Sequence, residues 1–350
     1  MRRNHALCSS LGSWCLGIAL SLHQLGAGCD EQTPRGATKA RPERKRTESG
    51  APPRGSAMDR AGRTADAGSP APDVARAPAA PSFEQCMAAP AGMVCIPGGA
   101  FWRGSDAHGK DARPRSRVVV GTFYMDRHEV TTPVFTSCVQ AGICKAPKEH
   151  LRYKGFHGPE QPAVPVSWFN ALAICLMQGK RLPTEAEWEK AARTTDGRTY
   201  PWGEEPPTCA RAHVQGCKPA VTRPVGSLPP NPYGLHDMAG NGYEWVMDWY
   251  SPCYAGCHDA CGRDCDGPDP RGPCDGALRC PGRRRRVLRG GSWYWSGTHG
   301  RTVWRRPELP ESGGHRLSLR CATRNHRPKT RDAQEVKALL LRLDTEPIQL

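Results

Sequence analysis

Seventeen cysteines are spread along this 350-residue chain, and their placement limits the fold more than any other feature. Three of them, Cys8, Cys15 and Cys29, fall within the first thirty residues, and the other fourteen lie between Cys86 and Cys321. Fourteen is an even number, as full oxidative pairing requires, and so many thiols would be a redox liability in a reducing compartment unless they bound metal. Six of the fourteen, Cys253, Cys257, Cys261, Cys265, Cys274 and Cys280, crowd into residues 251–282 among glycines and prolines with few apolar side chains. Such a segment has no core of its own. Disulfides would hold it by restricting the unfolded chain, and the rival is zinc on converging thiolates. Three intervening residues in the first three Cys spacings, rather than the commoner two, favour disulfides, and so does export.

Export is read from the amino terminus. Met1-Arg2-Arg3-Asn4-His5 is basic, and Ala6 to Leu22 is mainly apolar but broken by Ser9, Ser10, Gly12 and Ser13. That run is too short and polar for a spanning helix, which needs about 20 predominantly apolar residues, so residues 1–28 read as an export signal. The stretch Leu25-Gly26-Ala27-Gly28-Cys29 resembles a bacterial lipoprotein signal, which implies a lipid on Cys29 and anchorage to a membrane. Gly26 stands where that motif favours an apolar residue, which leaves simple secretion and an uncleaved anchor as alternatives. Residues 29–82 are rich in Ala, Pro, Arg and Gly and carry almost no large apolar side chains, so they cannot offset the entropy of folding and read as a tether. The basic run Arg41 to Arg46 within it is either a solvated linker or a segment lying on an anionic surface. The chain's net charge of +15 suits anionic partners, but aromatic residues do not interleave with the basic runs, which argues against nucleic acid.

From Phe83 onward the sequence is patterned. Met93 to Phe101 reads as a strand, a tight glycine turn and a second strand, and residues 118–125 as a further extended stretch broken by Gly121. Ser167 caps a helix running from Trp168 to Met177 and closed by Gly179. Thr184-Glu185-Ala186-Glu187 is a capping box, opening a second helix that reaches Arg193. Near the carboxyl end, Val336, Leu339, Leu340 and Leu343 recur at helical spacing, which predicts an amphipathic helix over 332–343. It sits in a tail, residues 326–350, and either packs back on the domain or docks a partner.

The run Gly179-Lys180-Arg181-Leu182-Pro183-Thr184-Glu185-Ala186-Glu187-Trp188-Glu189 resembles the signature of the formylglycine-generating enzymes, the sulfatase-modifying factor family. Further blocks follow the family's order: Asp126 to Thr131, Tyr200 to Gly203, Asn231 to Leu235, Asp237 to Asn241, Glu244 to Val246 and Arg289 to Trp293. The resemblance implies a single compact α/β domain over residues 83–325, related to C-type lectin domains and low in regular secondary structure, with 251–282 as a disulfide-rich insertion. That agrees with 38 glycines and 34 prolines.

The resemblance also implies site residues. Family enzymes bind calcium, and the side chains of Asp237 and Glu244 with the carbonyls of Gly240 and Gly242 match one such site. Two carboxylates and backbone oxygens around a glycine turn are the hard ligands calcium takes, and the plainer reading is a capped turn. The family joins the positions of Cys175 and Cys321 by a disulfide. Cys138 with Cys144 and Cys209 with Cys217 are then local pairs, and Cys86 with Cys95 is what remains.

The family's chemistry needs two cysteines after the Arg-Gly-Gly-Ser segment, whose soft thiolates hold copper(I). Counting from Arg289, those places hold Trp295 and Gly300, and no cysteine occurs between Cys280 and Cys321. Ser292 matches a family active-site serine, but a serine alone brings neither metal nor oxidant. The histidine-rich helix motif of the iron-dependent branch is absent, so copper and iron are not expected. What stands there instead is aromatic and basic: Trp293, Trp295, Arg301, Trp304 and Arg305, with Arg283 to Arg286 just before. These are residue types of binding hot spots, and they equally suit ordinary packing. Two readings follow. One is a cell-envelope binding or scaffold module, stabilised by calcium and taking an envelope protein, peptide or anionic glycan. The other is an oxidoreductase of the family, converting a protein cysteine to formylglycine or acting as another metal-dependent oxidase.

Overall fold

A computed structural model describes residues 85–147 and 154–343. The export signal, Cys29 and the tether up to residue 82 lie outside the described residues.

Among the described residues, nine strands and four α-helices carry the regular structure. β1 (Met93–Ile96), β4 (Phe123–Asp126) and β9 (Ala322–Thr323) form one antiparallel sheet in the order β1-β4-β9. β2 (Gly99–Arg103) pairs antiparallel with β3 (Ser116–Val120). The third sheet has the order β7-β6-β5-β8, from β5 (Tyr243–Trp249), β6 (Arg286–Arg289), β7 (Arg306–Glu308) and β8 (Leu317–Ser318). All its neighbours are antiparallel except β5 and β8.

The two strands around Gly98 therefore do not form a hairpin with each other, as the local sequence suggests. Pro97 and Gly98 instead carry the chain from one sheet to the next. The Gly98 amide donates to Thr122 Oγ1, and Gly99 takes a φ of +137° that only glycine adopts freely. The partner of β2 begins 13 positions beyond its last residue and that of β1 27 positions beyond.

Helix α1 (Thr132–Gln140) is not announced by the sequence, because Thr132, Val134, Thr136 and Val139 are poor helix formers. Proline in its first turn and the Cys138–Cys144 bridge at its end hold it. Helix α2 (Trp168–Met177) starts at Ser167, whose hydroxyl accepts from the Asn170 amide at 3.2 Å. Helix α3 (Glu185–Arg193) has the full capping box: Thr184 Oγ1 accepts from the Glu187 amide at 3.1 Å and Glu187 Oε2 from the Thr184 amide at 2.9 Å. Gly179 leaves α2 in the left-handed region, where a Cβ would lie 2.0 Å from the Lys329 carbonyl oxygen. The tail helix α4 (Ala333–Arg342) is capped by Asp332 and lays Val336, Leu339, Leu340 and Leu343 against the core that α1, α2 and β5 build. A second core lies between β1 to β4 and α3.

All fourteen described cysteines are paired. Cys175–Cys321 joins α2 to the turn before β9, and Cys86–Cys95, Cys138–Cys144 and Cys209–Cys217 close short loops. Inside the insertion each cysteine bonds its sequence neighbour, as Cys253–Cys257, Cys261–Cys265 and Cys274–Cys280. The insertion is thus a string of small covalent loops, and no thiolate set for zinc is left in it. Seven disulfides fit an exported protein. No described helix is long and apolar enough to cross a membrane.

Candidate functional site

Two strands and one glycine turn place the site. β6 ends at Arg289, and Gly290 and Gly291, both at positive φ, turn the chain so that Ser292 to Trp304 folds over the start of β5. A side chain at Gly291 would collide with the backbone of His299 and Gly300 at 2.9 to 3.0 Å, so glycine is required for that fold-back.

The fold-back is an aromatic stack. The His299 imidazole lies between two indoles, 5.3 Å and 12° from Trp295 on one side and 4.3 Å and 18° from Trp304 on the other. Tyr243 Oη, from the start of β5, is 2.6 Å from His299 Nδ1 and fixes the middle ring. Arg306 lies 5.2 Å over the Trp295 ring and 5.5 Å over Tyr243. Burial pushes the Tyr243 phenol up to about 12, against the pull of Arg306 and Arg316 nearby. Burial lowers His299, and Arg306 lowers it further, so the stack holds a neutral imidazole. Beside it, Trp293 packs on Phe156, His315 and the edge of Tyr294, which is 46% exposed.

Trp295 and Gly300, the positions that the family resemblance matches to copper ligands, both lie in this fold-back. Trp295 supplies an indole with its Nε1 buried and unpartnered. Gly300 is buried, and a Cβ there would sit 3.0 Å from that of Ala239. A sulfur at 300 would therefore need Ala239 to move, in addition to the missing cysteine. Ser292 is 1% exposed and its hydroxyl has no hydrogen-bond partner.

Not every residue assigned to the cleft belongs there. Trp293, Trp295, Arg301 and Trp304 are half-buried along the fold-back. Arg305 is not in a cleft: its guanidinium is buried and holds both Glu185 oxygens, Nε at 2.6 Å and Nη2 at 2.9 Å. It belongs to an ionic core on α3. There Arg289 bridges Glu185 at 2.8 Å and Glu189 at 2.9 Å, Arg193 pairs with Glu189 at 2.8 Å, and Arg181 grips Glu187 through two bonds of 2.7 Å. Arg286 is buried as well, sandwiched between Trp168 at 3.8 Å and Trp249 at 3.6 Å, which removes it from the basic run. Arg284 and Arg285 stay exposed.

The four residues expected to cage calcium are near one another but differently engaged. Both Glu244 oxygens are taken, by Arg320 Nε and Nη2 and by Trp188 Nε1, each at 2.7 Å. Asp237 Oδ2 accepts from the Gly226 amide at 2.7 Å. The Gly240 amide donates to Gly290 at 2.9 Å and the Gly242 amide to Glu129 Oε1 at 3.0 Å. Glu129 was not anticipated from sequence. Burial raises its carboxyl well above the usual range, and repulsion from Asp237 and Glu244 adds to that. Three buried carboxylates thus surround one directly paired cation, Arg320. Among the described residues no three Asp, Glu, His or Cys side chains converge as a metal site, so a cation there depends on backbone oxygens.

Comparison with known proteins agrees with this architecture. The Sulfatase-modifying factor enzyme 1-like domain matches residues 79–325. A formylglycine-generating enzyme of Bos taurus is 30% identical over 303 residues, covering 69% of this chain and 76% of that one. The serine/threonine-protein kinase pkn1 of Chlamydia pneumoniae is 36% identical over 250 residues, 66% of this chain, and the match spans only 37% of the kinase. Among solved structures, PvdO from Pseudomonas aeruginosa superposes with a TM-score of 0.53 at 26% identity, covering 67% of this chain and 94% of that one. By the extent of these matches and the motif order along α3, β5 and β6, this chain belongs to the sulfatase-modifying factor family.

Proposed function

We propose that this chain is a non-catalytic member of the family, tethered to the cell envelope, that uses the fold to bind or scaffold an envelope component. The observation that carries the reading is the occupancy of the copper-ligand positions. Trp295 is locked in a stack with His299 and Trp304, and Gly300 packs against Ala239. Every described cysteine is in a disulfide, so no thiolate pair is on hand for copper(I). The buried Ser292 has no base or metal ligand hydrogen-bonded to it.

Calcium is part of the proposal. Asp237 and Glu244 with the Gly240 and Gly242 carbonyls would hold it, and a divalent charge would offset the excess of carboxylate over Arg320. The ion's part would be to brace the turn before β5. If so, chelation lowers the unfolding temperature and Asp237→Asn removes that sensitivity. Anchorage through a lipid on Cys29 is tested by fatty-acid labelling, which Cys29→Ser should abolish.

The test of the main reading is to incubate the full chain, with calcium and copper(I), with a peptide carrying Cys-x-Pro-x-Arg, the family's substrate motif. Mass spectrometry should find no aldehyde, while an active family enzyme converts the same peptide. Conversion, or stoichiometric copper or iron that withstands dialysis, overturns the reading in favour of an oxidoreductase with other ligands.

A further inference from the structure

Resting on the reading of an envelope-tethered chain, we infer that the groove between α2 and α4, with the basic corner beside it, is a docking face for an anionic lipid surface. The groove holds about 710 Å³ and is lined by Ile143, Phe169, Leu278 and Leu340. The loop after α1, α2, the disulfide-rich insertion and α4 thus each supply one apolar wall. Three of the six large apolar side chains exposed among the described residues stand at its edge. Phe169 is 46% exposed, and Leu341, next to Leu340, is 74% exposed. The third, Leu309, is 40% exposed, and the carbonyl of the following Pro310 accepts from the Trp168 amide at 3.0 Å, which sets Leu309 beside Phe169 at the start of α2. Apolar side chains gathered in water around one hollow mark an interaction surface.

Strand register places the charge. Arg286 stands opposite Glu308 in the third sheet, so Arg284 and Arg285 before β6 and Leu309 after β7 leave the ladder at the same end. The Arg286 guanidinium also donates to the Leu278 carbonyl at 3.1 Å, which ties this corner to the groove wall. Arg284 and Arg285 are exposed, and neither guanidinium has a partner among the described residues. Lys145, on the groove wall, is exposed with an unpaired ammonium, and Glu311 is the one carboxylate lining the groove. Apolar tips beside unpaired cations suit the boundary of an anionic bilayer: the tips enter the headgroup layer while the cations meet phosphate. The contacts come from α2, α4 and the ends of β6 and β7. A fluid surface meets them at any spacing, whereas a peptide strand or helix offers its side chains only at fixed repeats.

The experiment is cosedimentation of the full chain carrying Cys29→Ser, so that no acyl anchor contributes, with vesicles of equal parts phosphatidylglycerol and phosphatidylcholine. Vesicles of phosphatidylcholine alone and a peptide of alternating glutamate and leucine are the parallel arms. Binding to the anionic vesicles alone, weakening as salt rises, is the expected result. Arg284→Gln together with Arg285→Gln should weaken it about thirtyfold, the equivalent of about 2 kcal/mol. Leu341→Ser, at a side chain already in water, should weaken it about fivefold and leave the unfolding temperature unchanged. Binding that these variants leave intact overturns the proposal, because the basic run Arg41 to Arg46 is then the contact. A response to the arginines but not to Leu341 overturns it as well, showing adsorption by charge alone. No binding to vesicles, equal binding to the neutral ones, or binding of the peptide in their place also overturns it. Acylation of Cys29 is read separately by fatty-acid labelling and turnover by the aldehyde assay, so this inference and the tethered, non-catalytic reading can fail independently.

Discussion

Helix α3 and the fold-back from Ser292 to Trp304 are both built from residues that prefer water or its edge, yet the molecule treats them in opposite ways. All nine residues of α3 are buried, five of them charged, and both oxygens of Glu185, Glu187 and Glu189 have partners. Lys190 reaches two backbone carbonyls, at 3.0 and 3.3 Å, and burial lowers its amine to about 8. The fold-back is half-exposed, holds its rings by stacking, and leaves Ser292 Oγ and Trp295 Nε1 without partners. Carboxylates with every oxygen paired mark a region whose function is to hold the fold, even though Arg193 Nε there has no partner. Unspent hydrogen-bonding capacity beside exposed rings marks a region with something left to do.

The comparison is broken most severely by removing one cation from α3's surroundings. Arg289→Met leaves Glu185 with Arg305 and Glu189 with Arg193 but removes the cation that joins them, and losing one partner of a buried network costs about 3–5 kcal/mol. Urea unfolding should show that loss, and a change under about 1 kcal/mol would mean that the glutamates find water or protonate cheaply.

Acidity tests the same core. Burial first, and then repulsion from Glu185, raises Asp248 to about 8 from the usual 3.8. The carboxyl is therefore protonated in the folded state, while the unfolded chain ionises it from about pH 4. Between these values the unfolded state releases the proton more readily, so this group makes stability fall as pH rises from about 4 to 8. Asp248→Asn mimics the neutral form, whose side-chain oxygen can still accept from the Glu185 amide, the 2.7 Å bond that Asp248 makes. Its unfolding free energy should vary less over that window than that of the natural chain.

The fold-back should respond more mildly. Trp304→Ala removes one side of the His299 sandwich at a half-buried position, and should cost about 1–2 kcal/mol. Near-ultraviolet circular dichroism should lose intensity while far-ultraviolet spectra stay unchanged. A cost like that of Arg289→Met would make the stack a second core, and the contrast would dissolve.

Much of this was legible in sequence wherever the signal is local. Ser167, and Thr184 with Glu187, announce α2 and α3 because a cap acts within three residues. Trp295 and Gly300, where the family resemblance leads one to expect cysteines, are found by counting from Arg289. The burial of α3 was not legible. Glu185 and Glu189 look like a solvated face until Arg289 and Arg305 arrive from over 100 residues away. For the same reason Arg305 was assigned to a cleft when it serves the core, and Glu129 escaped notice although it takes the Gly242 amide and Asn241 Nδ2. Strand pairing fails likewise: nothing near Met93 tells it to pair with Asp126.

The smallest effect is the most discriminating. If Ser292 is the family's active-site serine in a working enzyme, its removal would leave stability alone and abolish turnover. Here the hydroxyl is 1% exposed and bonds to nothing. A buried hydroxyl without a partner forfeits its hydration for no return, so Ser292→Ala should leave the chain as stable or stabilise it by up to about 1 kcal/mol. In the natural chain the hydroxyl gains a partner only if a ligand or ordered water reaches it. A destabilisation above about 1 kcal/mol would therefore place a bound group at Ser292 and move the fold-back toward the paired state of α3's carboxylates. A stabilisation would keep the two regions apart, one with its carboxylates spent on ion pairs that hold the fold and the other with a buried hydroxyl that nothing in the folded chain engages.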